Sequence, residues 1–182
     1  LRSLRPRQWT KNLFVFAGVI FSQQLFTPLF WPALGAFALF CVLSGSMYLL
    51  NDVADAEKDR LHPTKRFRPV ASGALPRGGA LARGVGLLVA SLAGSVALSW
   101  RFGLVAAGYG VLLTAYSVWL KHLVILDVLA VAVGFVLRAV AGAVAIDVEI
   151  SGWLLICTVL IALFLAVGKR RHEYLTLSGN AA

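Results

Sequence analysis

The chain has 182 residues, of which 59% are hydrophobic and 14% charged. Ordinary soluble domains carry roughly a quarter charged residues, so this composition excludes one, as it excludes disorder, a collagen-like fibre and a disulfide scaffold. The formal net charge is nonetheless +9, from 17 Lys and Arg against 8 Asp and Glu, which points to a membrane protein with basic flanks. Cys41 and Cys157 lie inside apolar runs, where a lone cysteine serves as a small buried hydrophobe.

In chain order, the apolar stretches predict six membrane spans, at about 12–30, 32–50, 80–99, 103–120, 123–146 and 151–168. The first is interrupted near its end by Gln23, Gln24 and Pro28, and the interiors are rich in the small residues that let helices approach in lipid. Basic residues set the direction. With the N-terminus inside, four precede the first span, seven follow the second, one follows the fourth and three follow the sixth. Fifteen of the 17 positive charges then share one side, with both ends cytoplasmic. That asymmetry explains most of the charge and disposes of a nucleic-acid partner, which would be met by a basic face rather than by alternate membrane boundaries. The expectation is an all-α polytopic membrane helix bundle forming a single domain over residues 1–182, with 51–79 as its cytoplasmic catalytic loop.

Four of the eight acidic residues fall within eight positions: Asp52, Asp55, Glu57 and Asp59. On a helix continuing from the second span, Asp52, Asp55 and Asp59 share an arc of about 60°, while Glu57 points elsewhere. Like charges at that spacing repel, and a divalent cation is the natural compensation. Mg²⁺ takes oxygen ligands, often one or two carboxylates completed by substrate phosphates and water. Just downstream, Arg60, Lys65, Arg66 and Arg68 occur within nine residues of a loop stiffened by Pro63 and Pro69 and suit phosphate oxygens. Carboxylates for metal beside cations for phosphate describe a magnesium–diphosphate site.

The string Asn51-Asp52-Val53-Ala54-Asp55-Ala56-Glu57-Lys58-Asp59 matches Asn-Asp-x-x-Asp-x-x-x-Asp at every fixed position, and so resembles the first signature of the UbiA-type intramembrane prenyltransferases. The stretches 4–12, 60–69 and 168–173 look like the branch of that family that transfers a phosphoribosyl group to a polyprenyl phosphate. The resemblance implies about nine spans, of which these are the first six, with the C-terminal third absent. It implies phosphoribosyl diphosphate as donor, a polyprenyl (decaprenyl) phosphate as acceptor, Mg²⁺ as cofactor and a role in cell-wall arabinan synthesis at a bacterial inner membrane; a homo-oligomer is compatible with it. The family's second motif, Asp-x-x-x-Asp, is incomplete here, since the position four beyond Asp127 is Val131. That departure fits a branch with a different diphosphate.

Asp52, Asp55 and Asp59 are the expected metal ligands and catalytic groups. Asn51, Lys65, Arg66 and Arg68 are the expected contacts to substrate. Lys11 is placed against the acceptor phosphate, for which lipid headgroups compete. Lys121 and Lys169 are substrate candidates that also read as a snorkelling anchor and a stop-transfer charge, and Tyr116 also reads as interfacial packing. Asp127 and Arg138 are ionisable groups within a span, where a functional role is the default; three turns apart, they are expected to line one cavity without touching. An aromatic prenyltransferase using a prenyl diphosphate is the rival enzyme. A transporter is the rival outside enzymes, disfavoured because the charge lies at one side rather than midway.

Overall fold

The computed structural model describes residues 2–120 and 123–179, with side chains from residue 3 onward except at 124, 169, 170 and 172–179. Helices α1 (Ala17–Phe21), α2 (Phe30–Ala54), α3 (Ala56–Arg60), α4 (Arg77–Leu98), α5 (Trp100–Val118), α6 (Val124–Ala145) and α7 (Gly152–Gly179) follow a 3₁₀ helix, Pro6–Phe16. Among the described residues, four helices are long and apolar enough to cross a membrane: α2, α4, α5 and Ile125–Ala145 of α6. The apolar part of α7, Gly152–Gly168, is shorter. So the apolar stretches read from hydropathy return as four long helices and Gly152–Gly168, which coincides with the expected 151–168, while the first is built differently.

That first crossing corrects the boundary 12–30. It runs from Pro6 through the 3₁₀ helix into α1 and ends at Phe21, and the polar residues Gln23 (φ 59) and Gln24 lie in the turn that follows. Hydropathy misplaced it because its opening turns carry Arg7 and Lys11. Its contacts trace a full traverse. Arg5 meets Asp52 at the end of α2, Asn12 meets Cys41 and Ser44 midway, and Val19 packs with Ala33 and Ile146 at the far end. Eleven residues at the longer 3₁₀ rise and five at the α rise cover roughly 30 Å, the thickness of the hydrocarbon core.

The segment lies directly on α6, which is where two glycines are required. A Cβ on Gly142 would overlap the carbonyl oxygen of Val15, and one on Gly18 would meet the backbone of Ala143 at 2.7 Å. Gly142→Ala is therefore expected to destabilise the fold by about 3 kcal/mol or more, the upper range for overpacking. Gly108→Ala, where a Cβ meets nothing within 4 Å, should be neutral or slightly stabilising. Thermal unfolding in detergent compares them, and equal midpoints would remove the close approach from the account of this fold.

Around this contact α2 packs against α4, α5 on both α4 and α6, and α7 on α6. Ser99 alone, in extended conformation, separates α4 from α5. The buried core is Val15, Ala36, Phe40, Leu43, Phe102, Ala106, Tyr109 and Ala141, with Phe40 tilted against Tyr109 at 5.1 Å between ring centroids. Small residues on α6 and aromatics on α2 and α5 interlock, as close packing in lipid demands. The bundle thus presents one end at which the N-terminal residues, the end of α2 and the α3–α4 loop converge.

Candidate active site

The acidic string does not continue α2. The helix ends at Ala54, Asp55 adopts φ −90 and ψ 4 as its cap, and α3 begins at Ala56. The arc expected of one continuous helix is thereby interrupted at Asp55, yet Asp52 and Asp59 still converge on one nitrogen of Arg68. Asp52 and Asp59 are buried, at 2% and 3% exposure, whereas Asp55 is half-buried. Glu57 faces away, as expected, to Arg60 at 3.1 Å and Arg77 at 2.9 Å on the exposed side.

The α3–α4 loop returns a cation to the two buried carboxylates. Pro69 forbids helical geometry at the residue before it, so Arg68 is extended (φ −64, ψ 142) and ends the 3₁₀ turn Lys65–Phe67. Val70 then anchors the loop among Leu49, Ala56 and Ala80. One terminal nitrogen of Arg68 stands 3.3 Å from Asp52 Oδ1 and 2.7 Å from Asp59 Oδ2. Arg5, held in the left-handed region at φ 50, donates from the other side to Asp52 at 2.5 Å and lies over the ring of Tyr48. Two carboxylates and two guanidinium groups thus form a compact charge-balanced cluster.

In front of it opens a cavity of about 410 Å³ that extends inward between the N-terminal segment, α2, α5 and α6. Five cations line it (Arg5, Lys11, Lys65, Arg68 and Arg138) against one carboxylate, Asp55. Asn51 also lines it and donates to Ser117 Oγ at 2.7 Å, tying the end of α2 to the end of α5. Tyr116 lines it too and donates to Asp127 Oδ1 at 2.6 Å, tying α5 to α6. Asp127 itself is buried behind Tyr116, so of the two ionisable residues of that span Arg138 takes part in the lining and Asp127 is reached through the phenol. Arg66 is exposed beside Phe67 and stands outside the cavity lining. Lys121 lies outside the described residues, as does the side chain of Lys169.

Arg138 occupies the inner end. Its Nε donates to Asn12 Oδ1 at 2.9 Å, one terminal nitrogen to the Gly134 carbonyl at 2.8 Å and the other to Tyr109 Oη at 2.5 Å. The rings of Tyr109 and Phe135 lie 4.8 and 5.2 Å from its guanidinium carbon. Sequence reasoning gave no role to Asn12, Tyr109 or Ser117. Asn12 carried a signal, a polar residue opening an apolar run; a tyrosine or serine near a span end carries none.

A bundle of apolar helices that closes on a cationic cavity beside an Asn-Asp-x-x-Asp-x-x-x-Asp string is the architecture of an intramembrane transferase. Residues 12–171 match the UbiA prenyltransferase family, and the chain belongs to it. It is 40% identical over 178 residues to the decaprenyl-phosphate phosphoribosyltransferase of Mycolicibacterium smegmatis, covering 95% of this chain and 56% of that protein. It is also 40% identical over 188 residues to the protein of the same name from Corynebacterium glutamicum, covering 96% and 54%. The chain therefore spans little more than half the length of these relatives. In fold it is similar to a UbiA homologue from Archaeoglobus fulgidus bound to DMAPP and Mg²⁺, with a TM-score of 0.77 and 24% identity over 90% of this chain and 59% of that one.

Proposed function

We propose that the chain carries the donor site of an enzyme that transfers the phosphoribosyl group of phosphoribosyl diphosphate to a polyprenyl phosphate such as decaprenyl phosphate. The observation that carries this is the cavity, lined by five cations and one carboxylate, Asp55. Two of the cations, Arg5 and Arg68, are paired with Asp52 and Asp59 buried behind the lining, which leaves Lys11, Lys65 and Arg138 as the excess of positive charge. Such a lining suits a ligand with several anionic groups. The 40% identity to two phosphoribosyltransferases supports the choice of ligand.

The donor set fits a hard cation. Asp52 and Asp59 already face one positive centre, the Arg68 nitrogen, and every candidate donor is oxygen. Among the described residues no three His, Cys, Asp or Glu side chains are grouped closely enough to hold a metal alone. A carboxylate pair completed by substrate phosphates and water is the usual Mg²⁺ arrangement. Asp52 and Asp59, with Asp55 and Asn51 beside them, would hold Mg²⁺, which supplies neutralisation of the departing diphosphate. Arg5, Lys65 and Arg68 would grip phosphate oxygens.

In the reaction an oxygen of the acceptor phosphate bonds to the anomeric carbon. The bond from that carbon to the diphosphate breaks, and the diphosphate leaves with the electron pair. The acceptor is already an anion, so no general base is needed, and catalysis rests on alignment and on stabilised leaving-group charge. A long isoprenoid cannot leave the bilayer, at about 0.8 kcal/mol per exposed methylene, and the charged donor cannot enter its core. The two must meet at an interface. The basic-residue asymmetry supports the cytoplasmic face of a bacterial inner membrane.

Membranes carrying the chain, given labelled phosphoribosyl diphosphate and decaprenyl phosphate, are expected to form a labelled lipid. Chelation should abolish the product and added Mg²⁺ restore it. Turnover of a prenyl diphosphate onto an aromatic acceptor, with no phosphoribosyl lipid, would overturn the proposal.

A further inference from the structure

Arg138 is the anomaly of this bundle. It lies well inside a membrane span and is only 6% exposed, yet its three hydrogen bonds all end on neutral acceptors: an amide, a backbone carbonyl and a phenol. A charge in lipid is costly and is normally met by an opposite charge. Here the described residues around it solvate the guanidinium and fix its plane, and no acidic side chain among them pairs with it. Asn12 is fully buried and is itself pinned, donating to Ser44 Oγ at 3.1 Å and Cys41 Sγ at 3.4 Å while accepting from Arg138. Tyr109 is equally buried and offers both its hydroxyl and its ring face. Three of the five guanidinium N–H groups are used in this way, leaving one on each terminal nitrogen without a partner among the described residues. The group lines the same cavity as Lys65 and Arg68. Ser44 and Cys41 precede Asp52 by eight and eleven residues on α2, so this cation stands roughly 12–16 Å along the helix from the carboxylate cluster.

We infer that Arg138, held in place by Asn12 and Tyr109, is a second anion subsite that takes the phosphate monoester of the sugar donor, at the end of the donor remote from its diphosphate. This rests on the phosphoribosyl reading and adds to it a division of the cavity. The mouth binds the group that leaves, and the inner end binds the phosphate that stays with the sugar. The arrangement also selects against a prenyl donor. An isoprenoid tail in the same place would bury the guanidinium against hydrocarbon with two N–H groups unmet, a penalty that a site built for hydrogen bonding imposes on an apolar analogue. Asn12 is a positioning residue, since it acts only through Arg138.

The test is equilibrium binding to the detergent-solubilised chain with Mg²⁺, using phosphoribosyl diphosphate and inorganic diphosphate as separate probes. Arg138→Gln is expected to weaken phosphoribosyl diphosphate by about ten-fold or more, as loss of a charge-assisted phosphate contact implies, while leaving inorganic diphosphate unchanged. Asn12→Ala and Tyr109→Phe should shift the same ratio in the same direction by less, whereas a merely structural role would move both ligands together. Inorganic diphosphate binding certifies folding. Should Arg138→Gln fail to bind it, Tyr109→Phe, which keeps the ring against the guanidinium, decides by the same ratio. Equal weakening of both ligands, or no weakening of either, overturns the inference alone if the wild type still makes phosphoribosyl lipid. A wild type that turns over prenyl diphosphate instead overturns the functional reading and the inference with it.

Discussion

Asp52→Asn is expected to lower the proposed phosphoribosyl transfer by about 10²–10³-fold, the loss typical of removing one group that stabilises leaving-group charge. Asn preserves the shape and can still accept from Arg5, so the fold should survive while the negative charge is lost. The effect should fall on kcat and on the apparent affinity for Mg²⁺, with a smaller change in KM. Asp59→Asn should behave alike, because its carboxylate shares the Arg68 nitrogen with Asp52. Glu57→Gln should stay close to wild type, its carboxylate being spent on Arg60 and Arg77 at the exposed side. Steady-state turnover across a Mg²⁺ titration reads all three. Wild-type rates in Asp52→Asn would take the carboxylate pair out of the chemistry.

Arg68→Met is expected to be the most damaging change to stability within the cluster. The methionine keeps much of the side-chain bulk but leaves Asp59 without its ion-pair partner and Asp52 with Arg5 alone. Breaking a buried pair from one side typically costs about 3–5 kcal/mol, because an uncompensated charge stays buried. With Arg68 itself 27% exposed, the lower end, about 3 kcal/mol, is the expected loss. The signature lies in its remedy. Millimolar Mg²⁺ should restore much of the thermal midpoint of Arg68→Met while moving the wild type little, since a bound cation substitutes for the missing guanidinium and binding to the folded state stabilises it. An unchanged midpoint in Arg68→Met, or a Mg²⁺ response equal to that of the wild type, would contradict the bridging role.

Hydropathy located α2, α4, α5 and α6 well, because twenty-residue apolar runs have few other fates. It misjudged the first crossing because its opening turns carry Arg7, Gln8 and Lys11, of which Gln8 and Lys11 face a cavity, and a window average cannot tell a cavity from water. The aspartate string was legible as a cluster, but the ion pairs that Arg68 makes with Asp52 and Asp59 were not, since the carboxylates read as metal ligands and the arginine as a phosphate contact. Its geometry was not legible, since the turn at Asp55 hangs on one backbone torsion and the arc argument assumed none. Arg66 and Arg68 look equivalent on paper, yet Pro69 turns only the second inward. The inner end of the cavity was the least legible part. Arg138 could be singled out as a charge within a span, but Asn12 lies 126 positions away, and pairings of that range carry no local pattern.

The first crossing has one more consequence. A 3₁₀ helix repeats every three residues with side chains eclipsed, so Pro6–Phe16 together with Arg5 reads as a three-letter frame. The first letter, Arg5, Gln8 and Lys11, faces the cavity; the second runs from exposed Pro6 through half-buried Trp9 to buried Asn12 and Val15; the third, Arg7, Thr10 and Leu13, lies exposed until Phe16 packs on Phe30 and Phe37. Removing a single residue upstream of Asn12 would rotate the frame by about 120°, exchanging ligand-facing, core-facing and outward-facing roles all at once. Removing three would keep every role and merely draw the ridge inward by about 6 Å. An α-helix has no integer period of this kind, so the segment is expected to tolerate a deletion of three residues better than a deletion of one.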